Sequence, residues 1–400
     1  MAPLTGVRIL AIEQLMALPF GTQVLSDFGA DIVGIETVGY GGDEAVPWRM
    51  RTGRHKRRIS VKLNAPEGQD LIRRLVQKYD VVVENYRPGV MDSYGLGYAA
   101  LSEVNPRLIY CSVSGYGHRD VLRSPHTDLA AYGPIGEAMS GYTNAIIEAG
   151  GTRSAGALGD ITSSMFACVG ILVALRDREQ TGRGAYVDIS MADALFALAE
   201  LPFTIYTASV DAPKKQANGD APKAGSGIYL AGHFPAADGQ VTMIVINNRH
   251  WAALCSFLGR PEWGDDPAYT APDRRTAAGE RLRTVLVDWA STRSKHDVAR
   301  ELRAAGLAAA PVMTPADICD DEHFAARRMI QRVRQPDGSV VRVPADPIKL
   351  STVEAERNGD ADEVIPIARP GEHTRSFLGS ELGLSAEQLD QLVAAGILGD

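Results

Sequence analysis

Cysteine is scarce in this 400-residue chain and thinly spread: Cys111, Cys168, Cys255 and Cys319 form no CxxC pair and no Cys/His spacing suited to a metal. No metal site is expected, and reduced thiols in a cytoplasmic protein are the simplest reading. Positive charge is outweighed, with 41 Lys and Arg against 49 Asp and Glu, a net charge of -8. That balance argues against general nucleic-acid binding. The start, Met1 to Arg8, lacks the apolar core of a signal peptide, and no apolar run is read as long enough to cross a bilayer. No membrane partner is therefore expected. Three common α/β signatures are also missing. There is no P-loop and no GxSxG elbow, and neither Glu13–Pro19 nor Gly39–Asp43 has the GxGxxG spacing of a dinucleotide site.

What is present is an ordinary globular composition, 45% apolar, long enough for one large domain or two moderate ones. Short apolar runs at Val7–Ile12, Asp31–Glu36, Ile59–Leu63, Asp80–Glu84, Leu108–Val113 and Tyr186–Ser190 read as strands. Helices are expected between them, at Pro19–Phe28 and from Pro66 to about Lys78 with Asn64 as cap. This alternation predicts a parallel sheet whose strand-end loops hold a ligand. Residues 209–226 have no periodicity and read as a linker. Beyond them, Ile228–Pro235 and Gln240–Ile246 flank an Asp-Gly turn and predict a hairpin. Helices follow near Arg249–Leu258, Glu280–Ala290 and Lys295–Ala304, and Ser385 caps a final helix. Few strands are expected between 330 and the end.

Three features carry candidate chemistry. In Gly156–Leu175, a loop of small residues delivers Asp160 to the start of a long apolar helix, where an N-cap belongs. The flanking glycines leave room for a ligand, and an apolar helix implies burial, so this carboxylate is also a candidate nucleophile. The run Arg49, Arg51, Arg54, His55, Lys56, Arg57, Arg58 is either a solvated loop or an anion site. His126 and Asp128 are either surface hydrogen bonders or an acid/base pair.

Taken together, Phe28–Glu36, Val81–Met91 and Asn105–Gly117 resemble the signatures of class III CoA-transferases, the CaiB/BaiF family. So do Leu158-Gly159-Asp160 with Thr181–Gly184 behind its helix, Phe234–Gly239, Ala309–Val312 and Gly371–Thr374. The match runs in order along almost the whole chain. It implies a Rossmann-like large α/β domain with a parallel sheet, built from residues 1–208 and 325–400. A smaller α+β domain covers 227–324, and two subunits interlock as a homodimer. It also implies that acyl-CoA and a small carboxylic acid are substrates, with no tightly bound cofactor. Asp160 then takes the family nucleophile's place, passing through an anhydride and an aspartyl-CoA thioester, with backbone N–H groups near Gly159 and Asp160 on the oxyanions.

By the same resemblance, CoA contacts fall on Met16, Ala17, Val61, Lys62, Leu63, Asn64, Asn85, Tyr86 and Arg87. Two family cations are replaced here, by Thr37 and Ser93. Arg54, Lys56 and Arg57 are expected to meet the phosphates instead, with Arg87. Tyr132 and the loop Gly225-Ser226-Gly227 are expected at the acyl site. One alternative is an α-methylacyl-CoA racemase of the same superfamily, which pairs an adjacent His-Asp with this Asp. Here Thr127 separates His126 from Asp128, and Tyr132-Gly133-Pro134 competes for that register. A non-catalytic CoA-binding protein is the other alternative.

Overall fold

The computed structural model describes residues 2–39, 49–118, 121–148, 151, 157–211, 230–266, 275–356 and 363–399. The chain forms two compact units, Met1–Phe203 with Ala325–Asp400, and Thr204–Phe324.

The first unit opens with β1 (Arg8–Ile12), α1 (Pro19–Asp27), β2 (Asp31–Glu36), α2 (Arg49–Thr52) and β3 (Lys56–Val61). Next come α3 (Pro66–Val76), β4 (Val81–Glu84), α4 (Val90–Ser93), α5 (Tyr98–Val104) and β5 (Ile109–Ser114). After these lie α6 (Gly133–Met139), α7 (Tyr142–Glu148), α8 (Leu158–Thr181), β6 (Tyr186–Ser190), α9 (Met191–Leu198) and α10 (Glu200–Asp211). Six strands run parallel in the order β3-β2-β1-β4-β5-β6, and β13 (Leu398–Gly399) returns antiparallel beside β3. This is the doubly wound order whose direction reverses between β1 and β4. Strands β4 and β5 are buried throughout because helices cover both faces of the sheet.

Several expectations are corrected. Strand β3 starts at Lys56 rather than Ile59, so Lys56, Arg57 and Arg58 of the basic run are strand. Ala65, not Asn64, precedes helix α3, whose Pro66 presets the first turn. The stretch from Met191 to Asp211 divides at Ala199 into two helices, α9 and α10. The C-terminal stretch contains a second sheet, β11 (Val340–Pro344), β10 (Ile330–Arg334) and β12 (Val364–Pro366), over a small core of Val333, Val343, Ile365 and Ile367. Helix α8 is long and apolar enough to cross a bilayer by length and composition alone, which the sequence reading did not find. Its packing is that of a core helix on one side: Ala167, Cys168, Ile171 and Ala174 are buried among β1, β4 and β5 residues.

The second unit contains β7 (Leu230–Ala236) and β8 (Gly239–Val245) as the hairpin, with β9 (Ala308–Pro311) beside β8. Helices Asn248–Phe257, Arg275–Ala290 and Lys295–Ala304 bury Trp251, Leu286 and Leu302 against it. Residues 212–226 of the expected linker lie outside the described residues, and α10 runs to Asp211.

Candidate active site

Four loops leave the carboxyl ends of β1, β2, β4 and β5, and three of them are stitched together where the strand order reverses. The Asn85 side chain holds the β1 loop at both faces. Its Oδ1 accepts from Gln14 N–H at 2.8 Å, and its Nδ2 donates to the Gln14 and Ala17 carbonyls at 2.7 and 2.5 Å. The Tyr86 hydroxyl takes Gln14 Nε2 at 2.8 Å and lies 3.3 Å from the Thr37 hydroxyl at the end of β2. This tethering holds Leu15 and Leu18 at φ 58° and 79°, a left-handed backbone that side chains with a Cβ rarely adopt.

Asp160 joins the same cluster. Ser164 accepts Leu18 N–H at 2.8 Å and donates to the Asp160 carbonyl at 2.6 Å, one turn back along α8. Asp160 is not the cap expected of it. Helix α8 begins at Leu158 after Ala157, no side chain caps it, and Asp160 lies inside the first turn. A carboxylate there still gains from the helix dipole. Helix α6 packs directly on this turn through bare backbone. A Cβ on Gly133 would stand 2.8 Å from Asp160 Oδ2, and one on Gly159 would stand 2.7 Å from the Gly133 carbonyl oxygen. Glycine is required at position 159, where a Cβ would meet backbone, and at 133 it leaves room for the Asp160 carboxylate. Burial, and then the neighbouring charge of Glu137, push the Asp160 carboxyl up to about 6. The Gly159 N–H, expected to face an oxyanion, instead donates to Glu137 Oε1 at 3.4 Å.

The other expected residues divide into two groups. Met16, Ala17, Asn85 and Tyr86 come together at the reversal point, and exposed Arg87 donates to the Asp128 carbonyl from the same loop. Lys62 and Asn64 are exposed after β3, with Leu63 buried between them. Tyr132 is exposed just before α6, and Gly225, Ser226 and Gly227 lie outside the described residues.

The basic run is different. Arg54 is fully enclosed and grips Asp27 of α1 with Nε and a terminal nitrogen. Lys56 reaches Glu13 at 2.7 Å and the Thr22 hydroxyl at 2.7 Å, also out of solvent. Arg57 is paired to Asp31 and stacks on Phe377. Arg58 pairs with Glu36. Arg54 and Lys56 are therefore not carried forward as phosphate ligands: their donors are spent on neighbouring carboxylates. Neither of the two readings of this run, solvated loop or anion site, describes these two side chains.

His126 lies against the Tyr116 ring, and the neighbour of the Asp160 carboxylate is Gly133. Glu137, Gln14 and Ser164 were missed as participants. Glu137 left one signal, a carboxylate within an otherwise small and apolar helix.

A parallel sheet with stitched loops at the reversal point, and a half-buried Asp in the first turn of a helix packed on glycine, define an α/β protein with a candidate site built around a carboxylate. The family model of CoA-transferase family III matches residues 4–361, and the chain belongs to that family. It is accordingly a CoA-transferase. A succinyl-CoA–D-citramalate CoA-transferase of Chloroflexus aurantiacus is 32% identical across 99% of this chain and 98% of its own. A succinyl-CoA:mesaconate CoA-transferase of Haloarcula hispanica is 31% identical across 90% of this chain and 93% of its own. A crystal structure of a CaiB/BaiF family protein from Brucella suis superposes with a TM-score of 0.76 at 26% identity, covering 95% of this chain and 99% of that one.

Proposed function

We propose that this enzyme moves CoA from an acyl-CoA donor to a small carboxylic acid through covalent intermediates on Asp160. One observation carries the reading: the half-buried Asp160 carboxylate faces bare glycine backbone, and the turn that bears it is tied, from the Asp160 backbone carbonyl through Ser164, to the loop at the sheet's reversal point. The Asp160 carboxylate attacks the donor's thioester carbonyl and expels CoA thiolate, leaving a mixed anhydride. The thiolate attacks the aspartyl carbonyl, which releases the donor acid and forms an aspartyl-CoA thioester. The acceptor carboxylate attacks that thioester and again expels thiolate. The thiolate then attacks the acceptor's acyl carbonyl, giving the new acyl-CoA and restoring Asp160. Each step exchanges one activated acyl bond for another, so no step is steeply uphill.

Several features support the details. A carboxyl raised to about 6 is ionised at neutral pH yet more basic than an exposed Asp, which suits a nucleophile. Met16, Ala17, Asn85 and Tyr86 form the cradle for CoA, and Arg87 and Lys62 are the exposed cations available to its phosphates. The substrates named for the two relatives favour succinyl-CoA as donor and a C5 dicarboxylate as acceptor. A homodimer is part of the same reading.

Asp160→Asn tests it. Removing a nucleophile typically costs on the order of 10^4-fold or more in turnover. Stability should hold or rise, because the variant removes a partly buried charge beside Glu137. Hydroxylamine or borohydride trapping of wild type with succinyl-CoA, followed by peptide mass spectrometry, should modify the peptide that contains Asp160. Full activity in Asp160→Asn would end the proposal. Exchange of an α-proton with deuterated water, with no adduct, would favour the racemase instead.

A further inference from the structure

The contact between α6 and the first turn of α8 brings a second carboxylate to the nucleophile. Glu137 is 4% exposed, and its Oε1 takes the N–H of Gly159, the residue immediately before Asp160. Two residues of α6 thus act on two of α8: Gly133 lies against the Asp160 carboxylate, and Glu137 holds the Gly159 amide beside it. We propose that Glu137 is a positioning residue: from α6 it holds the Gly159 amide, fixes the first turn of α8 and so brings a second carboxylate to bear on Asp160. The inference rests on Asp160 being the nucleophile.

Glu137 is the charged group that acts on Asp160, after burial itself. The ionisable side chains of the other elements packed on α8 are engaged or directed elsewhere, with Tyr110 of β5 and Tyr186 of β6 packed on each other in the core on the other face of the sheet. Asp27 of α1 is held by Arg54, and Asp193 is exposed in the first turn of α9. Asp188 of β6 accepts the His118 N–H, and the Cys111 thiol of β5 lies in the core. A like charge nearby disfavours the ionised form, so Glu137 makes Asp160 hold its proton to higher pH and makes the ionised form more basic. The same carboxylate occupies one of the free amides of the helix start, and so decides which N–H groups remain for an oxyanion.

Glu137→Gln keeps an oxygen for the Gly159 N–H and removes the charge, and Glu137→Leu removes both. In Glu137→Gln the acid limb of the kcat/KM profile should move to lower pH by on the order of one unit. The titration of Asp160, followed by 13C NMR of γ-labelled aspartate and assigned with Asp160→Asn, should move with it. Glu137→Leu should show the same shift and a further loss of kcat, because the amide is released. A purely structural Glu137 predicts lower stability with both titrations unmoved, and that result would overturn the inference. The NMR titration needs no turnover, so the two readings separate. A shifted titration in a protein that forms no adduct would sink the nucleophile and with it this role. An adduct with an unshifted titration would sink the role of Glu137 alone.

Discussion

At the scale of single residues, the charged side chains sort by what surrounds them. Arg54 and Asp27 are both out of solvent, so removing Arg54 takes away the buried charge that balances Asp27. Breaking such a buried pair typically costs about 3–5 kcal/mol. Arg54→Ala should therefore melt far below wild type. Arg87→Ala, at an exposed loop position, should melt normally and bind CoA more weakly, the more so at low salt. Calorimetry and CoA titration on the pair of variants separate the two outcomes. Weakened CoA binding by a normally stable Arg54→Ala would restore the phosphate role. Glu84 gives a second test. It is 1% exposed, its Oε2 accepts Tyr86 N–H at 2.8 Å, and His118 Nε2 stands 3.9 Å from its other oxygen. Burial, and then Asp92 and Asp188, push its carboxyl up to about 8. The folded form keeps the proton that the unfolded chain gives up near 4.5, so the stabilisation is complete below 4.5 and is lost as pH rises toward 8. The slope within that window approaches about 1.4 kcal/mol per pH unit. Glu84→Gln keeps the acceptor for Tyr86 and cannot ionise. Its melting temperature should fall less than wild type's between pH 5 and 8, and parallel curves would refute the assignment.

At the scale of elements, the sequence was legible wherever a segment makes its own structure. Asp31–Glu36 and Tyr186–Ser190 are strands to the residue, because short β-branched runs flanked by turns admit little else. Lys295–Ala304 and the helix after Ser385 carry their own caps, the latter a capping box with Gln388. The second sheet was missed because Ile330–Arg334 presents two arginines and one buried valine, too little apolar pattern to register. The start of α8 was misread because its amides are met from α6, 22 residues away, rather than by a local cap. Asp160 was readable as a candidate from its small neighbours, whereas the approach of Glu137 was not, because it depends on packing between helices. That packing is testable. Gly159→Ala places a methyl 2.7 Å from the Gly133 carbonyl oxygen and 2.8 Å from its Cα, so α6 must move. Overpacking of this kind costs about 1–3 kcal/mol. Activity should fall even at temperatures where the variant is fully folded, because the same movement shifts the group facing Asp160. A variant with normal activity would show that the close approach is not required.

At the scale of the whole molecule, α8 raises the question of what covers it. One face is in the core, yet Met165, Phe166, Val169, Leu172 and Val173 are exposed, with Val169 at 56% and Val173 at 63%. Their spacing of i, i+1, i+4, i+7 and i+8 makes a single stripe along the helix. Phe196 and Phe203, stacked edge to face at 5.0 Å, add exposed aromatic surface on α9 and at the start of α10. A monomer that left this stripe in water would forgo about 25 cal/mol for each Å² of it. A second copy of the chain is the occupant this reading requires, on an interface larger and more apolar than a transient contact. Analytical ultracentrifugation should give a dimer that persists on dilution to nanomolar concentrations. Val169→Glu with Val173→Glu should break it, since two carboxylates per subunit would have to be desolvated at the contact. Those positions face away from the core and from Asp160, so the variant subunit should still fold by circular dichroism. A wild-type monomer at micromolar concentration would leave the stripe uncovered and overturn the dimer, while leaving the chemistry of Asp160 to stand on its own tests.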